Sequence, residues 1–299
     1  MKKRDRLRLV DTTLRDGGQM PGLVLSKRKR LFLARILAAC GVGQIEAGVP
    51  AMGAEEIEII REIKENCPST LISVWNRSRR EDITASFACG PDLIHICLPV
   101  SELQIRRKLG LEPRAALDAF FACAELAMDR GYAVSAGLED ASRADRAFLR
   151  HVARELKEKG IDRVRLCDTV GVLLPGGAAE LTRLCLDEGL EIGFHAHNDL
   201  GMAEANSLCA ALAGASSVDV TLFGIGERAG NCDMRKLAHL AEGSGRLSPD
   251  VGERAAAEIE RQAAPLLGVA TVCGRRSGMG VGAGLDAGAL QGRETGRWL

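Results

Sequence analysis

Short apolar runs rich in β-branched residues alternate along the chain with longer segments whose apolar residues recur at helical spacing. Eight of these runs predict strands, at 7–13, 44–49, 71–76, 93–100, 133–140, 163–170, 191–199 and 217–227. The intervening segments, such as 26–41 and 114–131, predict amphipathic helices that often end in glycine. Eight strand–helix units in 299 residues predict an α/β fold, a closed (β/α)₈ TIM barrel rather than an open doubly wound sheet.

The pattern changes after the eighth unit, which divides the chain into a predicted catalytic barrel domain, 1–243, and an extension, 244–299. Within the extension, 248–268 predicts one helix with Ser248 as its N-cap and Pro249 in its first turn. The residues after this helix are rich in glycine. We expect them to form a loosely ordered tail or an oligomer contact.

The charge balance excludes some partners. The chain carries 40 basic and 40 acidic residues, so it has no net field that would attract nucleic acid or an anionic membrane surface. No apolar stretch follows the basic first residues, so a secretory signal is not expected, and no apolar run of about 18 residues predicts a helix that would span a bilayer. Ten cysteines occur without a CxxC pair, which favours a reducing compartment. We therefore expect a cytoplasmic protein that binds neither nucleic acid nor membranes.

The seventh predicted strand ends in the sequence GFHAHNDLG, with two histidines one residue apart. Alternate side chains of a strand share a face, so His195 and His197 point the same way. Two interpretations stay open at this point: hydrogen-bonded core histidines, or a pair of imidazole ligands for a divalent metal. Asp16, which follows the first strand, is a candidate third ligand, because the strand ends of a barrel meet at one mouth.

Polar residues collect where the predicted strands end, and this is the end of a barrel that carries active sites. They comprise Arg15, Asp16, Glu46, Glu139, Asp140, Asp168, Thr169 and the two histidines. Arg15 is suited to stabilise a negatively charged oxygen, since a guanidinium stays charged and presents forked donors. Arg77, in the basic segment NRSRRED, is a candidate partner for a substrate carboxylate. This concentration predicts an enzyme rather than a binding module.

Six segments carry a family resemblance: DTTLRDGGQMPG, EAGVPAMGAEE, EDASRAD, CDTVGVLLP, HAHNDLGMAEANSLCAALAGA and GIGERAGN. In this order and spacing they resemble the homocitrate synthase and 2-isopropylmalate synthase family of the DRE-TIM metallolyase superfamily, over about residues 7–243. LPVSEL and EDASRAD are most similar to homocitrate synthases of the nitrogen-fixation type. The resemblance implies a Claisen-type condensation of acetyl-CoA with a 2-oxo acid, with 2-oxoglutarate favoured, followed by hydrolysis of the thioester.

The resemblance also implies a set of metal ligands. By similarity, Asp16, His195 and His197 bind a divalent cation, either Mg²⁺, Mn²⁺ or Zn²⁺. Asn231 would lie nearby as a further ligand or orienting group, and Arg15 would polarise the keto oxygen of the 2-oxo acid.

Further residues are implied to contact the substrates. Gln19, Glu46 and Thr169 would lie against the 2-oxo acid, Thr169 by a hydrogen bond to a carboxylate. Glu139 would take part in the proton transfers that make the acetyl methyl a nucleophile. Relatives of this kind work as dimers, so a homodimer is expected.

Two departures from the family pattern keep other functions open. Gly18 stands where the synthases usually carry a glutamate, and Leu285 and Leu290 stand where they carry histidines after the barrel. One alternative is a carbon–carbon lyase or aldolase of the hydroxymethylglutaryl-CoA lyase type, although GIGERAGNCDM runs on without the cysteine-containing insertion of those lyases. The other is a barrel subunit that needs a second chain to supply the missing C-terminal part.

Overall fold

Eight parallel strands form a closed barrel in the computed structural model of the chain, which describes residues 4–269. The strands are β1 (Asp5–Asp11), β2 (Gln44–Gly48), β3 (Leu71–Arg77), β4 (Leu93–Pro99), β5 (Ala133–Glu139), β6 (Arg163–Asp168), β7 (Glu191–Ala196) and β8 (Ser217–Val220). Each strand pairs with the next along the chain, and β1 pairs with both β8 and β2 to complete the ring. The predicted (β/α)₈ barrel and its eight strands are confirmed.

The helices surround this ring. They are α1 (Lys27–Ala39), α2 (Ala54–Asn66), α3 (Arg80–Phe87), α4 (Glu102–Gln104), α5 (Pro113–Met128), α6 (Arg146–Glu158), α7 (Pro175–Leu186), α8 (Ala203–Leu212), α9 (Met234–Gly243) and α10 (Glu253–Leu267). Ser26, Asp145 and Asp233 begin α1, α6 and α9, because each side chain accepts a backbone N–H of the first turn. Within residues 4–269, none of the helices has the length and apolar character needed to cross a membrane.

The two faces of the barrel sheet differ in polarity. Residues such as Ile72, Val74 and Ile94 face the helices and are fully buried there. On the inner face, Gln44 Oε1 of β2 accepts a hydrogen bond from Arg163 Nη2 of β6 at 3.0 Å. Because β2 and β6 lie on opposite sides of the ring, this contact crosses the interior. The inside of the barrel is therefore polar, and charged groups there must find partners across it.

The start of the extension differs from the prediction. Ser248 lies in a ninth strand, β9 (Leu247–Pro249), which pairs in parallel with the first residues of β1, so it does not cap a helix. Asp250 then accepts the backbone N–H of Leu9 at 2.9 Å. These bonds hold the backbone extended, and α10 begins only at Glu253. The predicted glycine-rich tail, with Leu285 and Leu290, lies outside the described residues.

A buried carboxylate joins the extension to the barrel. Glu260 of α10 is 6% exposed, and the nearest Arg235 nitrogen is 3.8 Å away. Burial, reinforced by the charge of Asp233, raises the pKa of Glu260 to about 7. The folded state therefore holds this proton to higher pH than the unfolded chain does. It follows that Glu260 lowers the stability progressively as the pH rises from about 4.5 to about 7.

We expect Glu260→Gln to raise the free energy of unfolding by up to about 3 kcal/mol at pH 8 and by about 1 kcal/mol at pH 5. Denaturant unfolding at the two pH values measures this difference. Glu258→Gln, at a partly exposed glutamate on the same helix, is the matched control and should give no such pH-dependent gain. A gain that is equal at both pH values, or a loss at pH 8, would contradict the assignment.

Candidate metal centre

A tight turn after β1 presents Arg15 and Asp16 at the barrel mouth, the end where the strands have their carboxyl termini. The carbonyl of Thr12 accepts backbone N–H groups of the turn, from Asp16 at 2.8 Å and from Arg15 at 3.2 Å. Gly17 continues the turn against Ile225, where a Cβ atom would lie only 3.0 Å from Ile225 Cγ1. The glycine therefore allows the turn to pack closely on the loop that follows β8.

Both histidines of the HxH pair face the same point inside the mouth. His195 ends β7 with His197 just beyond it, and each is 5% exposed. Their Nε2 atoms are 3.2 Å apart. Asp16 Oδ2 lies 3.1 Å from His195 Nε2 and 3.9 Å from His197 Nε2. The predicted convergence of these three side chains is confirmed.

The donor set fits a divalent metal. Two ligand atoms that are each about 2.1 Å from one ion, at tetrahedral or octahedral angles, lie about 3.0–3.4 Å apart. Asp16, His195 and His197 each offer a ligand atom, and these atoms lie within 4.8 Å of one another. Among residues 4–269, Asp16 Oδ1 and Asn231 Oδ1 are buried atoms without a hydrogen-bond partner. A bound cation would satisfy oxygens that are otherwise costly to bury.

Asn231 is positioned by the backbone on the other side of the site. It forms an antiparallel bridge with His197, and its Nδ2 donates to the carbonyl of Ile225 at 3.0 Å. This bond fixes the amide so that Oδ1 is the remaining polar atom. Asn231 is thus paired with His197 through the backbone, and its role as a further ligand or orienting group remains a prediction.

A second carboxylate orients His195. Asp219 Oδ2 of β8 lies 3.0 Å from His195 Nδ1 and 2.9 Å from Arg165 Nε. This contact directs the other ring nitrogen, Nε2, toward Asp16. Burial lowers the pKa of His195, but hydrogen bonds to Asp16 and Asp219 outweigh burial and raise the pKa to about 9. For His197, burial and the neighbouring His195 lower the pKa to about 3.

Glu46 links the metal centre to the barrel interior. Its Oε1 accepts from Arg15 Nε at 2.6 Å, and its Oε2 accepts from Arg165 Nη1 at 2.8 Å. Glu46 is fully buried, and the two guanidinium groups hold its pKa well below the usual range despite that burial. The Arg15 guanidinium also lies 5.9 Å from the centre of the Trp75 ring. Arg15 is therefore held rigidly beside Asp16, at 3.4 Å.

The remaining predicted site residues lie around the mouth. Glu139 ends β5, and its Oε2 accepts from Lys108 Nζ at 2.6 Å. Thr169 follows β6, and its Oγ1 accepts the backbone N–H of Asp140 at 2.8 Å. Glu139 thus lies at the end of β5, and Thr169 lies just after β6, the strand that pairs with β7. Their contact with a substrate remains a prediction.

Gln19 and Arg77 lie farther out. Gln19 is an exposed residue of the short 3₁₀ turn Gly17–Gln19. The Arg77 guanidinium is held by Asp82 of α3 through bonds of 2.7 and 2.8 Å, and its side chain is half exposed. Contact of either residue with a substrate remains a prediction.

Sequence reasoning missed Arg165 and Asp219 as parts of the site. Asp219 is the one charged residue of β8, and Arg165 is one of three charged residues of β6; charges inside barrel strands were the available signal. His95, which the sequence analysis left out of the site, also faces the barrel interior. Its Nδ1 bonds Ser135 Oγ at 2.8 Å, and its Nε2 fills the space that a side chain at Gly137 would occupy.

Fold and site together define a TIM barrel with a candidate metal centre of one aspartate and two histidines at its mouth. The chain belongs to the HMGL-like family, whose model matches residues 6–261. It is 43% identical over 233 residues to a homocitrate synthase of Frankia alni, a match covering 78% of this chain and 66% of that protein. It is 40% identical over 237 residues to the homocitrate synthase subunit alpha of Clostridium pasteurianum, covering 79% of this chain and 88% of that one.

A solved structure gives the same fold. The hydroxymethylglutaryl-CoA lyase of Pseudomonas aeruginosa matches with a TM-score of 0.79 at 22% identity, covering 90% of this chain and 96% of the lyase. At this identity, the match supports the barrel architecture and carries no statement about activity.

We expect Asp219→Asn to weaken the binding of Mn²⁺ about tenfold to hundredfold, because the charge that orients His195 is lost. Isothermal titration with Mn²⁺ measures the change. Asp82→Asn is the matched control, since Asp82 is also a buried aspartate paired with an arginine but lies outside the barrel interior. Unchanged affinity in Asp219→Asn, or an equal loss in the control, would show that Asp219 does not act on the site.

Proposed function

We propose that the chain is the catalytic barrel of a metal-dependent acyltransferase that condenses acetyl-CoA with a 2-oxo acid, with 2-oxoglutarate as the favoured acceptor. The observation that carries the proposal is the placement of Arg15 next to the three candidate ligands. A buried guanidinium is fixed 3.4 Å from Asp16 by its bond to Glu46. The identity to homocitrate synthases supports the same reaction class.

Each residue has a defined task in this reaction. Asp16, His195 and His197 would hold a divalent ion, which would supply Lewis acidity that makes the keto carbon of the 2-oxo acid more electrophilic. Arg15 stabilises the negative charge that grows on the keto oxygen as that carbon is attacked. Glu139 accepts a proton from the acetyl methyl, so that the methyl carbon becomes the nucleophile. Water then hydrolyses the thioester and releases CoA.

Thr169 is suited to bind the substrate carboxylate. Its oxygen already accepts the N–H of Asp140, so its hydroxyl hydrogen is left for donation to an anion. Thr169 stands in the turn directly after β6, so this donor lies at the same end of the barrel as the candidate metal centre.

The direct test is a CoA-release assay with acetyl-CoA and a panel of 2-oxo acids: 2-oxoglutarate, 2-oxoisovalerate, pyruvate and oxaloacetate. We expect release that requires Mg²⁺, Mn²⁺ or Zn²⁺ and is fastest with 2-oxoglutarate. Release with none of the four acids would overturn the proposal. Cleavage of 3-hydroxy-3-methylglutaryl-CoA in a parallel assay would support the lyase alternative instead.

We expect Arg15→Ala to lower the rate of CoA release at least about a hundredfold, because the charge on the keto oxygen loses its partner. Binding of Mn²⁺ should be unchanged or tighter, since a cation next to Asp16 is removed. Arg79→Ala, an exposed arginine at the same end of the barrel, is the control for both measurements. A loss of Mn²⁺ binding as large as that of Asp16→Ala would contradict the role given to Arg15.

A second candidate function is that of a barrel subunit whose mouth is covered by another chain. Within residues 4–269, ten large apolar side chains are exposed, and nine of them lie in the segments between a strand end and the next long helix. They are Val24, Met52, Leu103, Leu109, Leu111, Val172, Leu174, Leu200 and Met202. Apolar side chains collected at one end of a barrel are typical of an interaction surface. The similarity to a protein named as a synthase subunit agrees with this interpretation.

This candidate predicts that the chain alone binds metal and 2-oxo acid but condenses them slowly. A general acid or base supplied by a second chain typically contributes about 10²–10⁴-fold. Size-exclusion chromatography combined with the CoA-release assay separates the cases. Rapid condensation by the purified chain, as a monomer or a homodimer, would rule out the need for a second chain.

A further inference from the structure

The residue after Glu139 has an unusual backbone conformation. Asp140 has φ 57° and ψ 34°, the left-handed region that residues other than glycine rarely adopt. It is fully buried and leads from β5 into the short turn Ala141–Arg143. Such a conformation persists only where its surroundings hold it in place.

The Asp140 carboxylate is held from both sides. The hydroxyl of Ser101, a buried residue after β4, donates to Asp140 Oδ2. Arg143 donates to the same carboxylate from Nε to Oδ1 at 2.9 Å and from Nη2 to Oδ2 at 2.7 Å. Forked bonds of this kind fix the direction of a carboxylate as well as its charge. The side chain is therefore fixed between the loop after β4 and the turn after β5.

The backbone of Asp140 then acts on the next strand. In the left-handed conformation its N–H points at Thr169 and donates to Oγ1 at 2.8 Å. A hydroxyl has one hydrogen and two acceptor positions, so this bond occupies an acceptor position and leaves the hydrogen available for donation. The bond from Asp140 thus holds Thr169 Oγ1 in place and directs its hydrogen away from the Asp140 N–H.

We propose that Asp140 is a positioning residue for the 2-oxo acid: held left-handed by Ser101 and Arg143, it turns the Thr169 hydroxyl into a fixed donor for the substrate carboxylate. The inference rests on the proposed function, because it takes that carboxylate as the group Thr169 meets. Asp140 does not itself touch the substrate and acts through Thr169.

Three variants separate the effect of the Asp140 backbone conformation from the effect of its carboxylate. Asp140→Asn keeps the shape and tolerates the left-handed region, whereas Asp140→Gly keeps only the conformational freedom. Asp140→Ala loses both the carboxylate and the tolerance for positive φ. Affinity for 2-oxoglutarate is measured by titration in the presence of Mn²⁺. Among the variants it should be highest for Asp140→Asn, lower for Asp140→Gly and lowest for Asp140→Ala. We expect about a tenfold to hundredfold loss for Asp140→Ala, with the KM for acetyl-CoA little changed.

A double-mutant cycle distinguishes positioning from a merely structural effect. If Asp140 acts through Thr169, Asp140→Ala should weaken 2-oxoglutarate binding little further in a Thr169→Val background. Should Asp140→Ala fail to fold, Asp140→Gly enters the same cycle. Asp145→Ala, which removes the N-cap of α6 in the same segment, controls for lost stability and should leave the affinity unchanged.

The outcomes are distinguishable. Wild-type protein that binds no 2-oxo acid would overturn the proposed function and this inference with it. Wild-type binding with additive losses in the cycle, or an Asp140→Asn loss as large as that of Asp140→Ala, would overturn the role of Asp140 alone. Strong coupling between Asp140→Ala and Thr169→Val, together with near-normal binding by Asp140→Asn, supports that role.

Discussion

Burying charges inside the barrel requires that each charge meets an opposite one, and this requirement organises the site. Glu46 lies between Arg15 and Arg165, and Asp219 lies between Arg165 and His195. Glu46 of β2 and Arg165 of β6 come from opposite sides of the ring, so this pair forms only when the barrel is closed. An unpaired charge in such an interior is strongly destabilising, so the network restricts where Arg15 and His195 can lie. The folded barrel therefore sets the geometry of the metal centre.

Some buried polar atoms of the site have no hydrogen-bond partner in this network. Arg15 is held by Glu46, and His195 by Asp219, while Asp16 and Asn231 keep buried oxygens without hydrogen-bond partners among residues 4–269. Because Asp16 and Asn231 are buried, these oxygens do not gain partners from solvent. A site of this kind favours a cation and, beside it, an anionic oxygen that Arg15 can stabilise.

Much of this could be predicted from local pattern. The strands alternate with helices regularly enough to give the barrel, and a HxH pair at a strand end indicates a metal because its spacing is that of one sheet face. The pairing of Glu46 with Arg165 joins residues 119 positions apart, which no local pattern reveals. The left-handed Asp140 and the strand at Leu247–Pro249 likewise depend on contacts with distant segments. Contacts between residues far apart in the chain are thus what local sequence patterns do not reveal.

The central claim is that the charged interior of the barrel builds a centre for a divalent metal and a 2-oxo acid at its mouth. Anomalous X-ray diffraction from crystals grown with Mn²⁺ and 2-oxoglutarate tests it most directly. We expect one strong manganese peak between Asp16, His195 and His197, with the 2-oxo acid within hydrogen-bonding distance of Arg15. A peak elsewhere, or an acid bound away from Arg15, would contradict it.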